Sequence, residues 1–236
     1  MRLDAVTTTA LEAWEKRWAT EEGRADRLDP LPAVVAILPE LTARGARRAL
    51  DLGCGVGRHA LLLAEHGLEV EALDGSPAGL AVLRETAAAR GLTLGLHEGM
   101  ADALPFSDES IDYVLSWNVI HHGTLGDVGR RLGEIWRVLK PGGLFHGTVL
   151  STRDSNYGLG RAIAPNTFVI DRVGAKSHPL LRRRDAARPP RRLRAHNPEP
   201  AAAGAPPRLP PLAHHRRTNR LTIRRVSFDH MLLVTH

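Results

Sequence analysis

The chain has a single cysteine, Cys54, in 236 residues. An intrachain disulfide framework is therefore excluded, and the expectation is a reducing, cytoplasmic setting. Aromatic residues are scarce at 4%. No apolar run approaches the roughly 18 residues that a membrane-crossing helix needs, so no spanning segment is expected. The opening "MRLDAVTTTALEAWEKRWATEEGR" carries acids and Trp14 and Trp18 where a secretory leader would need an uninterrupted apolar stretch,. Neither His214-His215 nor any other His, Cys or acid grouping has metal-ligand spacing, so no metal is expected,.

Lysine is absent from residues 181–236, which hold 13 Arg and only 3 acids. The net charge of +6 and the pI near 10.3 thus belong to the last quarter, while the first 180 residues are mildly acidic. A charge so segregated argues against a nucleic-acid-binding globular domain, although it leaves open an arm that binds RNA.

From Arg47 onward, strand-like and helix-like segments alternate. "RRALDL", "LEVEALD", "LTLGLHEG", "IDYVLSWNVI" and "LFHGTVLS" read as five strands. Between them, "GRHALLLAEHG" ends at Gly67, and "SPAGLAVLRETAAARG" begins with a capping Ser76 and Pro77,. A third helix places Leu132, Ile135, Trp136 and Leu139 on one face before Pro141-Gly142-Gly143,. This alternation predicts an α/β fold with a doubly wound, mainly parallel sheet.

At the end of the first strand stands "LDLGCGVGRH". Glycines there permit positive φ and close approach of a ligand to the backbone, at the carboxyl edge of the sheet where open α/β folds bind ligands. Gly53, Gly55 and Gly57 form G-x-G-x-G, and the third glycine of a dinucleotide fingerprint would fall where Arg58 stands,. A nicotinamide dinucleotide is thereby disfavoured. Asp74 ends the second strand, where a carboxylate can accept from ribose hydroxyls, and Asp102 follows the third strand in "GMADALPFSDESID",. "SWNVIHH" closes the fourth strand.

"LDLGCGVG", "DALPFSDESID" and "RVLKPGG", in this order, resemble the class I S-adenosylmethionine-dependent methyltransferases, specifically the small-molecule, methyltransferase type 11-like members. The resemblance spans roughly residues 47–150 and implies a Rossmann-like fold with S-adenosyl-L-methionine as cofactor. It implies that Asp51 and the Gly53, Cys54, Gly55 and Gly57 loop hold the methionine part, Asp74 the ribose, Ala101 and Asp102 the adenine, with Asn118 near the sulfonium. His121 and His122 are the candidate catalytic bases, with pocket lining as the other reading. "RDSNYGLGRAIAPNTFVID" resembles a tellurite-resistance-type subgroup more weakly. No Asn/Asp-Pro-Pro-aromatic run follows the fourth strand, which disfavours methylation of nucleic-acid bases. The expected acceptor is a small molecule or a chalcogen oxyanion; the alternatives are a cofactor-binding but catalytically impaired protein or an RNA-directed enzyme.

Three regions are expected: a helical extension or lid over 1–45, the cofactor-binding domain over 46–178, and an irregular Arg/Pro-rich tail over 179–236. Trp14 and Trp18, four residues apart, either pack on the domain or cover the ligand. In the family, a helix and an antiparallel hairpin follow the fifth strand, and the tail departs from that pattern. A solvated arm, a nucleic-acid-binding arm and a reading frame altered near His178 each account for its Arg, Ala and Pro content. The final "RLTIRRVSFDHMLLVTH" has the apolar and β-branched content of one or two strands,. Sequence leaves the oligomeric state open.

Overall fold

The computed structural model describes residues 5–149, 161–164, 167–170, 176–179, 221–227 and 230–235. Four short helices come first: α1 (Ala5–Trp18), α2 (Glu21–Arg24), α3 (Pro32–Val35) and α4 (Leu38–Ala43), with a 3-10 turn at Ala25–Arg27. The alternating part follows as β1 (Arg48–Leu52), α5 (Arg58–Glu65), β2 (Glu69–Asp74), α6 (Pro77–Ala89), β3 (Gly95–Glu98), β4 (Ile111–Ser116), α7 (Leu125–Val138) and β5 (Leu139–Thr148). Three strands, β6 (Arg161–Ala164), β7 (Thr167–Ile170) and β8 (Lys176–Pro179), form a small antiparallel sheet. The described chain closes with β9 (Leu221–Ser227) and β10 (His230–Thr235).

The main sheet runs β3-β2-β1-β4-β5-β10-β9. Its first five strands are parallel, and β10 lies antiparallel between β5 and β9. The chain winds outward from β1 through β2 to β3, then returns to β4 on the other side of β1. That reversal opens a crevice above the carboxyl ends of β1 and β4. Both faces of the sheet are covered, as buried parallel strands require. Ala49, Tyr113 and Leu115 pack under Leu61 to Leu63 of α5 and Leu80 and Leu83 of α6. Leu50, Leu52, Val114 and Phe145 pack under Ile135 and Val138 of α7.

Local chemistry sets the element ends. Ser76 caps α6 by accepting from the Gly79 amide, with Pro77 in the first turn,. Thr124 and Asp127 form a reciprocal capping box on α7,. β4 stops at Ser116, short of the Ile120 that apolar content suggests, because Asn118 adopts φ 61° and breaks the pleat,. The final segment, expected as one or two strands inside an irregular tail, supplies β9 and β10 and completes the same sheet. This is the hairpin that the tail's composition had suggested was missing. Its period-2 pattern of β-branched and apolar residues sits beside an Arg-rich stretch that obscures it. Residues 180–220, to which the three accounts of that stretch apply, lie outside the described residues.

Candidate functional site

The glycine loop joins β1 to α5, and its three glycines all take left-handed backbone: Gly53 φ 75°, Gly55 φ 55°, Gly57 φ 84°. A Cβ on Gly57 would overlap Leu83, and one on Gly55 would stand 2.9 Å from Trp18 Cζ2, so both conformation and space demand glycine,. The loop's amides are turned inward. Gly53 and Cys54 N–H groups donate to the Leu73 carbonyl at 2.7 and 3.1 Å, and Gly57 N–H to the Cys54 carbonyl at 2.9 Å. Gly55 N–H donates to Asp74 Oδ2 at 2.7 Å, while Ser76 N–H donates to Oδ1 at 2.8 Å. Those four loop amides therefore brace the site, and what the loop offers a ligand is room.

Asp74, at the end of β2, lines the cleft. Its carboxylate accepts from the Gly55, Ser76 and Gly75 amides and keeps acceptor capacity for a further donor. Burial raises its pKa, while the Gly55 and Ser76 amides work in the opposite direction,.

Asp51 is 2% exposed and does not line the cleft. It accepts from the Ala60 amide inside the first turns of α5, and its Oδ2 is buried without a hydrogen-bond partner. Burial first, then the charge of Asp74, lift its pKa to about 7,. Cys54 lines the cleft, its thiol donating to the Gly55 carbonyl at 3.7 Å. Burial pushes that thiol well above its ordinary range, so it is a neutral wall and no nucleophile,.

On the other side of the crevice, Gly99, Met100 and Ala101 follow β3 and Asn118 follows β4; all four line the cleft. Asn118 is held in its left-handed conformation by Thr148: its amide donates to the Thr148 hydroxyl at 2.6 Å, and that hydroxyl donates back to Asn118 Oδ1 at 3.0 Å. Asp102 is turned away from the cleft and pairs with Arg131 of α7. The tandem histidines divide. His122 lines the cleft, while His121 is 3% exposed, packed 4.6 Å from the His122 ring, and does not line it.

Helix α1 forms the remaining wall through Ala10, Leu11, Trp14 and Trp18. The two indoles stack at 5.0 Å, both line the cleft, and Trp18 is buried. Glu15 fastens this wall, accepting from the Ser76 hydroxyl and from the Ala78 amide at 3.2 Å, at the N-terminus of α6,.

Sequence reasoning missed several lining residues: Arg27, Arg58, His59, Trp117 and Val119 among them. His59 looks like any polar residue on a helix until Leu31 N–H is seen donating to its Nε2 at 3.3 Å. Burial first, then Arg58, drives its pKa down to about 3, so it is neutral at ordinary pH. Trp117 stands one residue past β4, edge-on to His146, which receives or gives a 3.1 Å hydrogen bond at Nδ1 with the Tyr113 hydroxyl. His146 itself is buried within β5.

Residues 49–143 match a family model described as a methyltransferase domain. An uncharacterized methyltransferase of Mycobacterium tuberculosis is 40% identical over 143 residues, 59% of this chain and 52% of the relative. A demethylmenaquinone methyltransferase of Thermus thermophilus is 42% identical over 104 residues, covering 42% and 46%. The chain thus spans about half the length of the curated relatives it matches. A crystal structure of a Pyrococcus horikoshii protein aligns over 86% of this chain and 88% of its own, with TM-score 0.59 and 21% identity, a likeness of fold.

Proposed function

We propose, from the match of residues 49–143 to a methyltransferase domain, that this chain is a class I, S-adenosylmethionine-dependent methyltransferase acting on a small-molecule acceptor. The observation that carries the proposal is convergence. Two left-handed glycines, Gly53 and Gly55, with Asp74, Ala101 and Asn118 come from four separate segments and line one cleft at the carboxyl edge of the sheet, while Gly57 shapes the loop from behind the lining.

The cleft fits the cofactor. Asp74 would take the ribose hydroxyls on its remaining acceptor capacity, Met100 and Ala101 would flank the adenine, and the glycine loop would give the methionine part its space. Bound there, S-adenosylmethionine supplies a methyl group on a positively charged sulfur, an already activated leaving group. Asp102, expected at the adenine, would act at most through its oxygen not engaged by Arg131. Asp51 supports the loop from beneath through the first turns of α5.

The protein's own work is alignment and exclusion of water. Trp14, Trp18 and Trp117 wall the cleft with apolar surface, and holding two reactants in line contributes up to about 7–11 kcal/mol in favourable systems. His122, the member of the histidine pair that lines the cleft, is the candidate to take a proton from an acceptor. Relatives named for demethylmenaquinone and for ubiquinone biosynthesis favour a small organic acceptor over a nucleic acid.

Calorimetric titration with S-adenosylhomocysteine tests the reading. Wild type binds, and Asp74→Ala loses at least about tenfold in affinity while its circular dichroism stays native. Undiminished binding by that variant, or none by folded wild type, removes the cofactor assignment.

A further inference from the structure

Resting on the methyltransferase reading, we propose that Arg27 and Arg58 form an anion-binding pair that anchors the acceptor by a carboxylate. Arg27 ends the 3-10 turn before α3, and Arg58 opens α5; both line the cleft alongside Gly55, Trp117 and His122. They lie close enough that Arg27, after burial, is the largest influence lowering the pKa of Arg58. Two cations facing one space is an arrangement that costs free energy unless an anion enters. Arg58 adds to the cost, because a cation in the first turn opposes the helix dipole.

Among the described residues this charge is offset only in part: Asp51 and Asp26 favour the charged form of Arg58, and Asp26 also pairs with Arg27. Arg58 Nη1 donates to the Asp29 carbonyl at 3.3 Å, a neutral partner. Arg27 Nε is buried and makes no hydrogen bond; Asp26 Oδ2 stands 3.4 Å away. Asp26 is 62% exposed and gives its Oδ1 to Arg17 at 2.6 Å. The acids deeper in the site are committed elsewhere: Asp74 to the Gly55 and Ser76 amides, and Asp102 to Arg131. Asp51 faces α5 rather than the cleft.

The cofactor as a whole brings no net negative charge to the cleft. Its ammonium and carboxylate cancel, and its sulfonium adds a further positive charge to the same cleft. An acceptor bearing a carboxylate supplies the missing negative charge, and two guanidinium forks suit its paired oxygens.

The test uses the full chain saturated with S-adenosylhomocysteine and titrated with benzoate or with benzyl alcohol, its neutral counterpart, by NMR. Benzoate binds at least about tenfold more tightly than benzyl alcohol, and the preference weakens as salt rises. Arg27→Gln and Arg58→Gln each remove the preference while the S-adenosylhomocysteine affinity stays within about threefold of wild type; Arg27→Lys keeps part of it. Equal binding of the two probes, or a preference that survives both glutamine variants, overturns the inference. So does a loss confined to S-adenosylhomocysteine, which would assign the pair to the cofactor's own carboxylate. Failure of S-adenosylhomocysteine to bind wild type removes the methyltransferase reading itself, an outcome distinct from binding without discrimination between the probes.

Discussion

Arg131 donates from Nε to Oδ1 of Asp102 across 2.8 Å, with side chains 4% and 8% exposed. The same guanidinium donates through Nη1 to the carbonyls of Ile120, at 3.3 Å, and His122. One side chain on α7 thereby ties the loop after β3 to the loop after β4. These are the two loops that would flank the cofactor, so their spacing is set from beneath by a charged strut.

Arg131→Met strands the Asp102 carboxylate and two carbonyls in a buried setting. Removing one partner of such a pair typically costs about 3–5 kcal/mol. Urea unfolding should show a loss of that order. The double variant Arg131→Met/Asp102→Asn should recover part of it, because the buried charge is gone; a double variant as unstable as the single would show that the pair's charge is not the cause.

Asp51 makes stability depend on pH. Its folded pKa of about 7 lies above the unfolded value near 3.9, so the folded chain holds the extra proton between them,. The contribution is fully present below about pH 4, declines as pH rises, and is lost above about pH 7. Its size is on the order of 4 kcal/mol. Asp51→Asn removes this dependence and should gain stability relative to wild type between pH 4.5 and pH 8. Unfolding midpoints at the two pH values would show it, and an unchanged difference would place the Asp51 pKa near its ordinary value.

His59 works in the other direction. Its folded pKa of about 3 lies below the unfolded value of 6.5, so the stability it contributes is present above pH 6.5 and is lost as pH falls toward 3,. Because Leu31 N–H donates to Nε2, the ring proton sits on Nδ1,. Nitrogen-15 shifts of the imidazole should report this neutral tautomer unchanged down to pH 4.5; a midpoint near pH 6 would contradict the burial described for this ring.

Much of the fold was legible because the evidence for it is local. The caps at Ser76 and the apolar period over Leu132 to Leu139 need only neighbouring residues to be read. The glycine loop and Asp74 were likewise visible as a motif, with room for a ligand as its meaning. What the sequence hid depends on residues far apart. Nothing near Asp102 announces Arg131, and nothing near His121 says that it packs away from the cleft while His122 lines it. Arg27 and Arg58 stand 31 positions apart, and the hydrogen bonds of Arg58 to the Asp29 carbonyl and of the Leu31 amide to His59 tie the segment after the 3-10 turn to α5. The hairpin was harder still, since a strand pattern beside an Arg- and Pro-rich stretch does not reveal its partner.

The place of β10 also imposes an order of assembly. β5 pairs with β4 on one side, and on the other with a strand that leaves the ribosome roughly 80 residues later. Until then the backbone amides and carbonyls along that edge of β5 have no strand to meet, and closing so long a loop is entropically slow. The nascent protein thus passes through an interval in which its parallel-stranded half is built around an open edge. That interval is when proteases and unrelated strands have their best access to it.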